Sequence, residues 1–366
     1  MPDSKLETMR SLGQRLGLST MTVSRALRNA QGVSPATRKR VLRAARLSNY
    51  RPDPVLAVLN TYRHHRRRSI SDAKIAFLTD FPTPDEWRSV PTFLRYFDGI
   101  RKRSHLLGYE VEPFWLGDPE LTGRRASQIL RGRGINGVIV GPLFHGMSTL
   151  QLDWDLFSTV AVGRSLNSPR VATVSCNHFQ SVELAWHEAW RLGYRRIGIV
   201  LTVAEDARTV GALKASYLLQ QLQSGGAALP VLLTEGYSQD LLAEWTLNHR
   251  PDILLSSEPH HYELLSGSDA FVQASPMFLN LNVDPETDLA GIDQGHDKVG
   301  EHAAALLHLK MLQRETGIPV PRDLLLIDGI WSEGRGEWRL KMVRQKRGER
   351  LPFPLENPSA FPISNS

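Results

Sequence analysis

Met9, Leu12 and Leu16 recur at i, i+3 and i+7, the apolar stripe of a short helix. Gly17 and Leu18 then supply a tight, buried turn, and Ser19 is a good N-cap for a second helix running to about Arg28. The inward face of that helix is Val23, Ala26 and Leu27, which leaves Thr20, Met21, Thr22, Ser24 and Arg25 mostly outward. Ser34-Pro35 places an N-cap and an N1 proline before a third helix containing Val41, Leu42 and Ala45. Two short helices about a glycine turn describe a helix-turn-helix, whose second helix enters the DNA major groove. The spacing alone also fits any compact helical domain. Asp53-Pro54 opens a further helix, 54–60, that is too short to hold its shape alone.

Past residue 69 the period changes. Short apolar runs at Ile75–Leu78, Val138–Val140, Val160–Val162, Ile197–Leu201, Ile253–Leu255 and Phe278–Leu281 are bounded by polar or turn residues. Helical patterns intervene, among them Phe93–Leu107, Ala126–Leu130, Val182–Leu192, Ala212–Leu222 and Val299–Leu312. Such alternation predicts an α/β body with parallel sheets covered by helices, long enough for two lobes and a ligand cleft. The chain thus divides into a head (1–52), a hinge helix with a basic linker (53–73), a two-lobed body (74–332) and a tail (333–366) read as mostly disordered.

Charge sharpens this division. Residues 1–68 hold 15 lysines and arginines against three acids, Asp3, Glu7 and Asp53, a net of +12, whereas the rest of the chain nets −6. A basic module on an acidic body points to a nucleic-acid partner, although a solvated basic surface has the same count. Arg63-His-His-Arg-Arg-Arg68 in the linker suits phosphate tracking, and its two histidines read as solvated rather than metal-bound. No run reaches the ~18 apolar residues of a membrane span. The opening Met-Pro-Asp-Ser-Lys lacks the apolar core of a signal peptide, and a single cysteine, Cys176, excludes an internal disulfide framework. These features predict a cytoplasmic protein with no cofactor and no metal.

Residue detail adds a family. Leu18-Ser-Thr-Met-Thr-Val-Ser-Arg-Ala-Leu-Arg28, then Val33-Ser-Pro-Ala-Thr-Arg38, then Asn49-Tyr-Arg-Pro52 resembles the lactose-repressor/galactose-repressor family. Its head reads V-S-x-x-T-V-S-R-x-L-N, V-S-x-x-T-R and G-Y-x-P. The match is ungapped over about fifty residues; Arg28 departs from the usual Asn and adds a phosphate contact. The resemblance implies base-edge contacts for Thr20, Met21 and Arg25. Chemistry supports Arg25, because a guanidinium clamps guanine O6 and N7, while Met21 offers only apolar contact. Thr22, Ser24, Thr37 and Tyr50 read as backbone-positioning residues, with local capping as the equal alternative for each hydroxyl. The resemblance also makes 54–60 a hinge helix whose Leu59, with Ala57 nearby, wedges into the minor groove.

The resemblance continues, more weakly, through Gly99-Ile, Leu107-Gly-Tyr-Glu-Val111, Gly134-Ile-Asn-Gly-Val-Ile139, Leu192-Gly-Tyr-Arg-Arg-Ile-Gly198 and Gly291-Ile-Asp-Gln-Gly295. It implies two Rossmann-like, periplasmic-binding-protein-like lobes behind an all-α helix-turn-helix head. The positions it offers to an effector are Asp80, Arg164, Asn177, Asn282 and Gln294, each equally readable as a turn or cap residue. A sugar-clamping R-x-x-G is expected on the helix after Ile197–Leu201. Taking that helix as Ala212–Leu222, the register reads Leu213-Lys-Ala-Ser216, with Arg208 upstream, and the usual N-D pair is replaced by Glu258-Pro259. Weak binding of simple hexoses and pentoses follows from that register.

Gly132-Arg-Gly134-Ile-Asn-Gly137 satisfies G-x-G-x-x-G but follows a helix and precedes a strand, the reverse of a dinucleotide site. No Walker loop, G-x-S-x-G or H-E-x-x-H occurs, so the sequence does not read as an enzyme. The expectation is a homodimeric DNA-binding regulator, most simply a repressor, of a roughly palindromic operator, modulated by a small molecule such as a sugar or derivative. The alternatives are a solute-binding protein of the same body fold and a ligand sensor of altered specificity.

Overall fold

The computed structural model describes residues 8–27, 32–48, 73–144, 148–225, 228–236, 238–266, 276–284 and 289–335. It separates into two compact units, 1–70 and 71–366. The hinge helix and linker, Arg28, Tyr50, Ala57, Leu59 and residues 336–366 lie outside the described residues.

The first unit contains α1 (Met9–Leu16), α2 (Thr20–Leu27) and α3 (Pro35–Leu47). Thr8 and Ser11 form a reciprocal capping box at α1, and Gly17 ends that helix in the left-handed region at φ 65°, where a side chain would be strained. Ser19 Oγ accepts from Thr22 N at 3.1 Å, and Ser34 Oγ accepts from Thr37 N at 3.2 Å, so both expected N-caps form. Leu12, Val23, Ala26, Val41 and Ala45 close the core, flanked by Met9, Leu16, Leu18, Leu27 and Val33. Leu18 is therefore only half-buried in its turn, and Leu42 on α3 is exposed. Two basic side chains tie α1 to α3, Arg15 Nη2 donating to Ala44 O and Arg40 Nη2 to Leu16 O.

The second unit begins with β1 (Lys74–Thr79), α4 (Pro91–Leu106), β2 (Glu110–Trp115), α5 (Gly123–Gly132), β3 (Gly137–Val140), β4 (Ser158–Val162) and β5 (Ala172–Cys176). The chain then crosses to a second lobe: α6 (His178–Arg191), β6 (Ile197–Thr202), α7 (Val203–Arg208), α8 (Ala212–Ser224), β7 (Leu232–Thr234), α9 (Gln239–His249), β8 (Ile253–Ser256), α10 (Pro259–Ser266), β9 (Met277–Asn280) and β10 (Gly291–Asp293). It returns through α11 (His296–Gln313) and β11 (Leu324–Ile327) and crosses once more into β12 (Ile330–Ser332).

Each lobe is a six-stranded sheet, ordered β11-β5-β4-β3-β1-β2 and β12-β10-β9-β8-β6-β7, parallel except for β12. Alternate residues of one strand feed opposite faces. Ile75 and Phe77 join one cluster with α4 and α11, while Ala76 and Leu78 join another with α5. The second lobe repeats this, with Ile197 and Ile199 packed beneath α6 and α8 and Val200 beneath α9. Gly99 on α4 and Gly300 on α11 let these helices meet backbone to backbone: a Cβ at Gly99 would stand 2.0 Å from Asp297 O, and one at Gly300 2.2 Å from Tyr96 O. The Gly132–Gly137 segment runs from helix through a left-handed Gly134 (φ 77°) into β3, as its residues read.

Candidate DNA-reading face and effector site

In the head, polar residues divide by what they touch. Thr22 Oγ1 lies 2.9 Å from Ser19 Oγ, and Thr37 Oγ1 accepts from Ser34 Oγ at 2.8 Å, so both hydroxyls take part in caps. Thr20, Met21 and Arg25 stand exposed on α2, Met21 with 63% of its surface in solvent. An exposed methionine beside an arginine at i+4 contributes nothing to the small core. Ser24 is half-buried on the same helix.

In the body, the ends of the parallel strands and the three crossovers gather the candidate effector residues. Four of them are engaged in holding loops. Asp80 Oδ1 accepts from Phe144 N at 2.7 Å. Asn177 caps α6 through Gln180 N and donates to Asp328 Oδ1 at 2.7 Å. Gln294 Nε2 donates to Leu281 O at 2.6 Å, and Asn282 Nδ2 reaches Thr92 Oγ1 of the other lobe at 3.5 Å. Asn282 therefore links the two lobes, whereas Asn177 joins the ends of the neighbouring first-lobe strands β5 and β11 where the chain crosses over.

Arg164 and Arg208 are different. Arg164 follows β4 in the first lobe and Arg208 ends α7 in the second, with Glu258 3.9 Å from the Arg208 guanidinium. Because α7 lies between β6 and α8, the helix after β6 is not Ala212–Leu222. The R-x-x-G pattern is Arg208-Thr-Val-Gly211 itself, with Gly211 at φ 69° opening α8. Arg208 thus occupies the clamp position that the resemblance implies, and the Leu213–Ser216 register is no ground for weak binding of simple sugars.

Two histidines absent from the sequence-based set sit at the crossovers. His178 opens α6 and His296 opens α11. Burial pushes His178 down to about 4, helped by the charges of Arg164 and Arg208. Burial likewise pushes His296 to about 3, helped by Arg95 and His178. The Nδ1 atoms of both have no partner among the described residues. Tyr96 stacks edge-on against His296, centroids 4.7 Å apart, and its hydroxyl lies 3.3 Å from Cys176 Sγ. Burial lifts the Cys176 thiol to about 12, which keeps it unreactive. The only signal for the histidines in sequence was their place one residue after Asn177 and Gly295, visible once the crossovers are known. Among the described residues, no group of three or more His, Cys, Asp or Glu is arranged to hold a metal ion.

Residues 8–53 match the model of the bacterial regulatory proteins of the lacI family. The sucrose operon repressors of Shigella flexneri and Escherichia coli are each 46% identical to this chain over 48 residues, 13% of this chain and 14% of theirs. The chain thus aligns with about one-seventh of the length of these curated relatives. The structure is similar to that of a transcriptional regulator CelR–cellobiose complex (TM-score 0.52, 18% identity, covering 89% of this chain and 98% of that one). It is also similar to transcription regulator CcpA of Lactococcus lactis (TM-score 0.53, 14% identity, 72% and 98%). At these identities the likeness carries the fold: a helix-turn-helix head joined to two periplasmic-binding-protein-like lobes. Among the described residues, no helix is long and apolar enough to cross a membrane.

Proposed function

We propose, from the premise that residues 8–53 are a lacI-family head, that the chain is a sequence-specific transcriptional regulator working in the cytoplasm as a homodimer. A small-molecule effector at the lobe boundary modulates its affinity for a roughly palindromic operator. The observation that carries this reading is the division of labour on α2: Val23 and Ala26 build the core while Thr20, Met21 and Arg25 stay exposed. A helix so arranged presents base-reading groups to a major groove. Thr22, Ser24, Arg28, Thr37 and Tyr50 hold the backbone, and Ala57 and Leu59 act at the operator centre. Two heads on one dimer read two half-sites, so the operator mirrors the two-fold axis. Asp80, Arg164, Asn177, Arg208, Asn282 and Gln294 surround the effector, the arginines contacting it directly.

Selection of bound duplexes from a random-sequence library with the full chain tests this. The expected product is an inverted repeat, bound at least ~1000-fold more tightly than random duplex at one fixed salt concentration. Recovery of no enriched sequence, with binding that depends on salt alone, overturns it. Trypsin-resistant binding of a solute with no DNA enrichment would favour the solute-binding alternative.

A further inference from the structure

Six buried polar atoms without a partner among the described residues lie at strand ends or at the helix starts that follow them: Thr79 Oγ1, Ser175 Oγ, His178 Nδ1, Glu205 Oε1, Asn280 Nδ2 and His296 Nδ1. Buried polar atoms need partners, so water or a ligand belongs there. The charges decide which ligand. Arg208 has Glu258 at the outer limit of an ion pair. Arg164 forms no ion pair with a carboxylate among the described residues, and the charges acting on it are those of Arg322 and Arg170. Burial and these like charges both lower its pKa, so an anion would relieve it.

We infer that the effector is a small organic anion whose carboxylate or phosphate is held by Arg164 of the first lobe and Arg208 of the second, beside His178 and His296. This rests on the effector-regulated reading above and names the chemistry of its ligand. A guanidinium fork fits either anion with two parallel hydrogen bonds. A neutral imidazole still offers one N–H and adds no charge to repel. Because the two arginines belong to different lobes, an anion touching both is favoured only in lobe arrangements that bring them together, which couples binding to conformation. The other groove of note, about 460 Å³ and lined by Arg95, Asp98, Asp284, Asp293 and Asp297 among others, is unsuited to an anion. Its arginine already donates to Asp293 at 2.9 Å and to Asp297 at 3.2 Å.

Thermal unfolding of the full chain without DNA tests this, using D-glucose, D-gluconate and D-glucose 6-phosphate at 10 mM and matched ionic strength. Gluconate or glucose 6-phosphate should raise the body's transition by about 5 °C or more, as expected for a ligand near saturation. The arm that responds identifies carboxylate or phosphate; glucose should move it by less than about 1 °C. Arg164→Gln and Arg208→Gln should each abolish most of the shift, and Arg164→Lys should keep part of it. Arg25→Ala should leave the shift intact, because the anion binds the body; loss of the shift in that variant would place the anion on the basic head and overturn the inference. A shift from glucose equal to that from its anionic partners overturns the inference, as does the absence of any anion-specific shift. Survival of the shift in the Arg164→Gln/Arg208→Gln double variant, folded by circular dichroism, also overturns it. In each of these cases the regulator reading stands or falls separately on the recovered operator.

Discussion

The head and the body place function on opposite sides of their own surfaces. In the head, the polar groups that the fold uses are accounted for: Ser19, Thr22, Ser34 and Thr37 in caps, Arg15 and Arg40 across to neighbouring carbonyls. What remains exposed on α2 is the candidate reading face, so function there is the residue left over after folding. In the body the relation is inverted. His178 and His296 have buried Nδ1 atoms that lack partners among the described residues, and the groups around them come from positions as distant as Tyr96 and Arg208. There the fold itself carries an unmet demand for polar partners. Changes in the head should therefore alter DNA binding without altering stability, and changes at the lobe boundary should alter both.

The largest effect is expected where no functional group is involved. Gly99→Ala places a Cβ 2.0 Å from Asp297 O, and that backbone has no room to yield without separating α4 from α11. Overpacking of this severity costs about 3 kcal/mol, and the body's melting temperature should fall by about 5–10 °C. Calorimetry of the full chain reads this directly. Operator affinity measured well below the transition should persist, and an unchanged melting temperature would deny the close approach of these helices.

This pair of glycines also marks what the sequence could disclose. The head was legible because its signals are local: a stripe at i, i+3 and i+7, two N-caps, a glycine turn and a continuous motif within fifty residues. The six quoted strand runs in the body are strands in the structure for the same reason, since short apolar runs between turn signals have few other uses. Less apolar strands were not legible as such. β5, Ala172–Cys176, carries Thr173 and Ser175, and β7, Leu232–Thr234, is only three residues long. The lobe-boundary site was harder still. His178 and His296 are 118 positions apart, and nothing in either neighbourhood shows that two crossovers bring their charges within reach of each other. The misplaced R-x-x-G register has a physical cause as well. α7 is six residues long and its sequence lacks an apolar stripe, so periodicity passes over it and locks onto α8.

Arg25→Ala is the sharper test of the head side. It should cost about 1–3 kcal/mol at the selected operator and relax discrimination at one base pair. Stability should stay within about 0.5 kcal/mol, as for any surface substitution away from caps and core. Fluorescence anisotropy on operator and on random duplex separates the two roles. Equal losses on both would make Arg25 a phosphate contact, and the exposed face of α2 would then position the protein without reading sequence.

The smallest effect comes from the buried acid of the second lobe. Burial lifts Glu205 to about 8 from an ordinary value near 4.5, aided by the charge of Glu258. Its native form therefore keeps a proton that the unfolded chain has lost, and stability falls as pH rises between those two values. His178 and His261, each held near 4, and His296, held near 3, act with the opposite sign. Below about pH 6.5 the unfolded chain protonates all three while the native state does not, so stability falls as pH drops. Three histidines outweigh one glutamic acid on the acid side, and above pH 6.5 the histidine contribution fades. Stability should accordingly peak near pH 7 and decline by about 0.6 kcal/mol by pH 8, since one pH unit across a fully shifted group is worth about 1.4 kcal/mol and the histidines still offset part of it. Urea unfolding at pH 7 and 8 measures the decline, and Glu205→Gln should flatten it while leaving the acid limb in place. A wild-type curve that stays level or rises over that interval would mean that Glu205 is ionised in the folded protein. The lobe boundary would then hold one more negative charge near Arg208, leaving less attraction for an anion there.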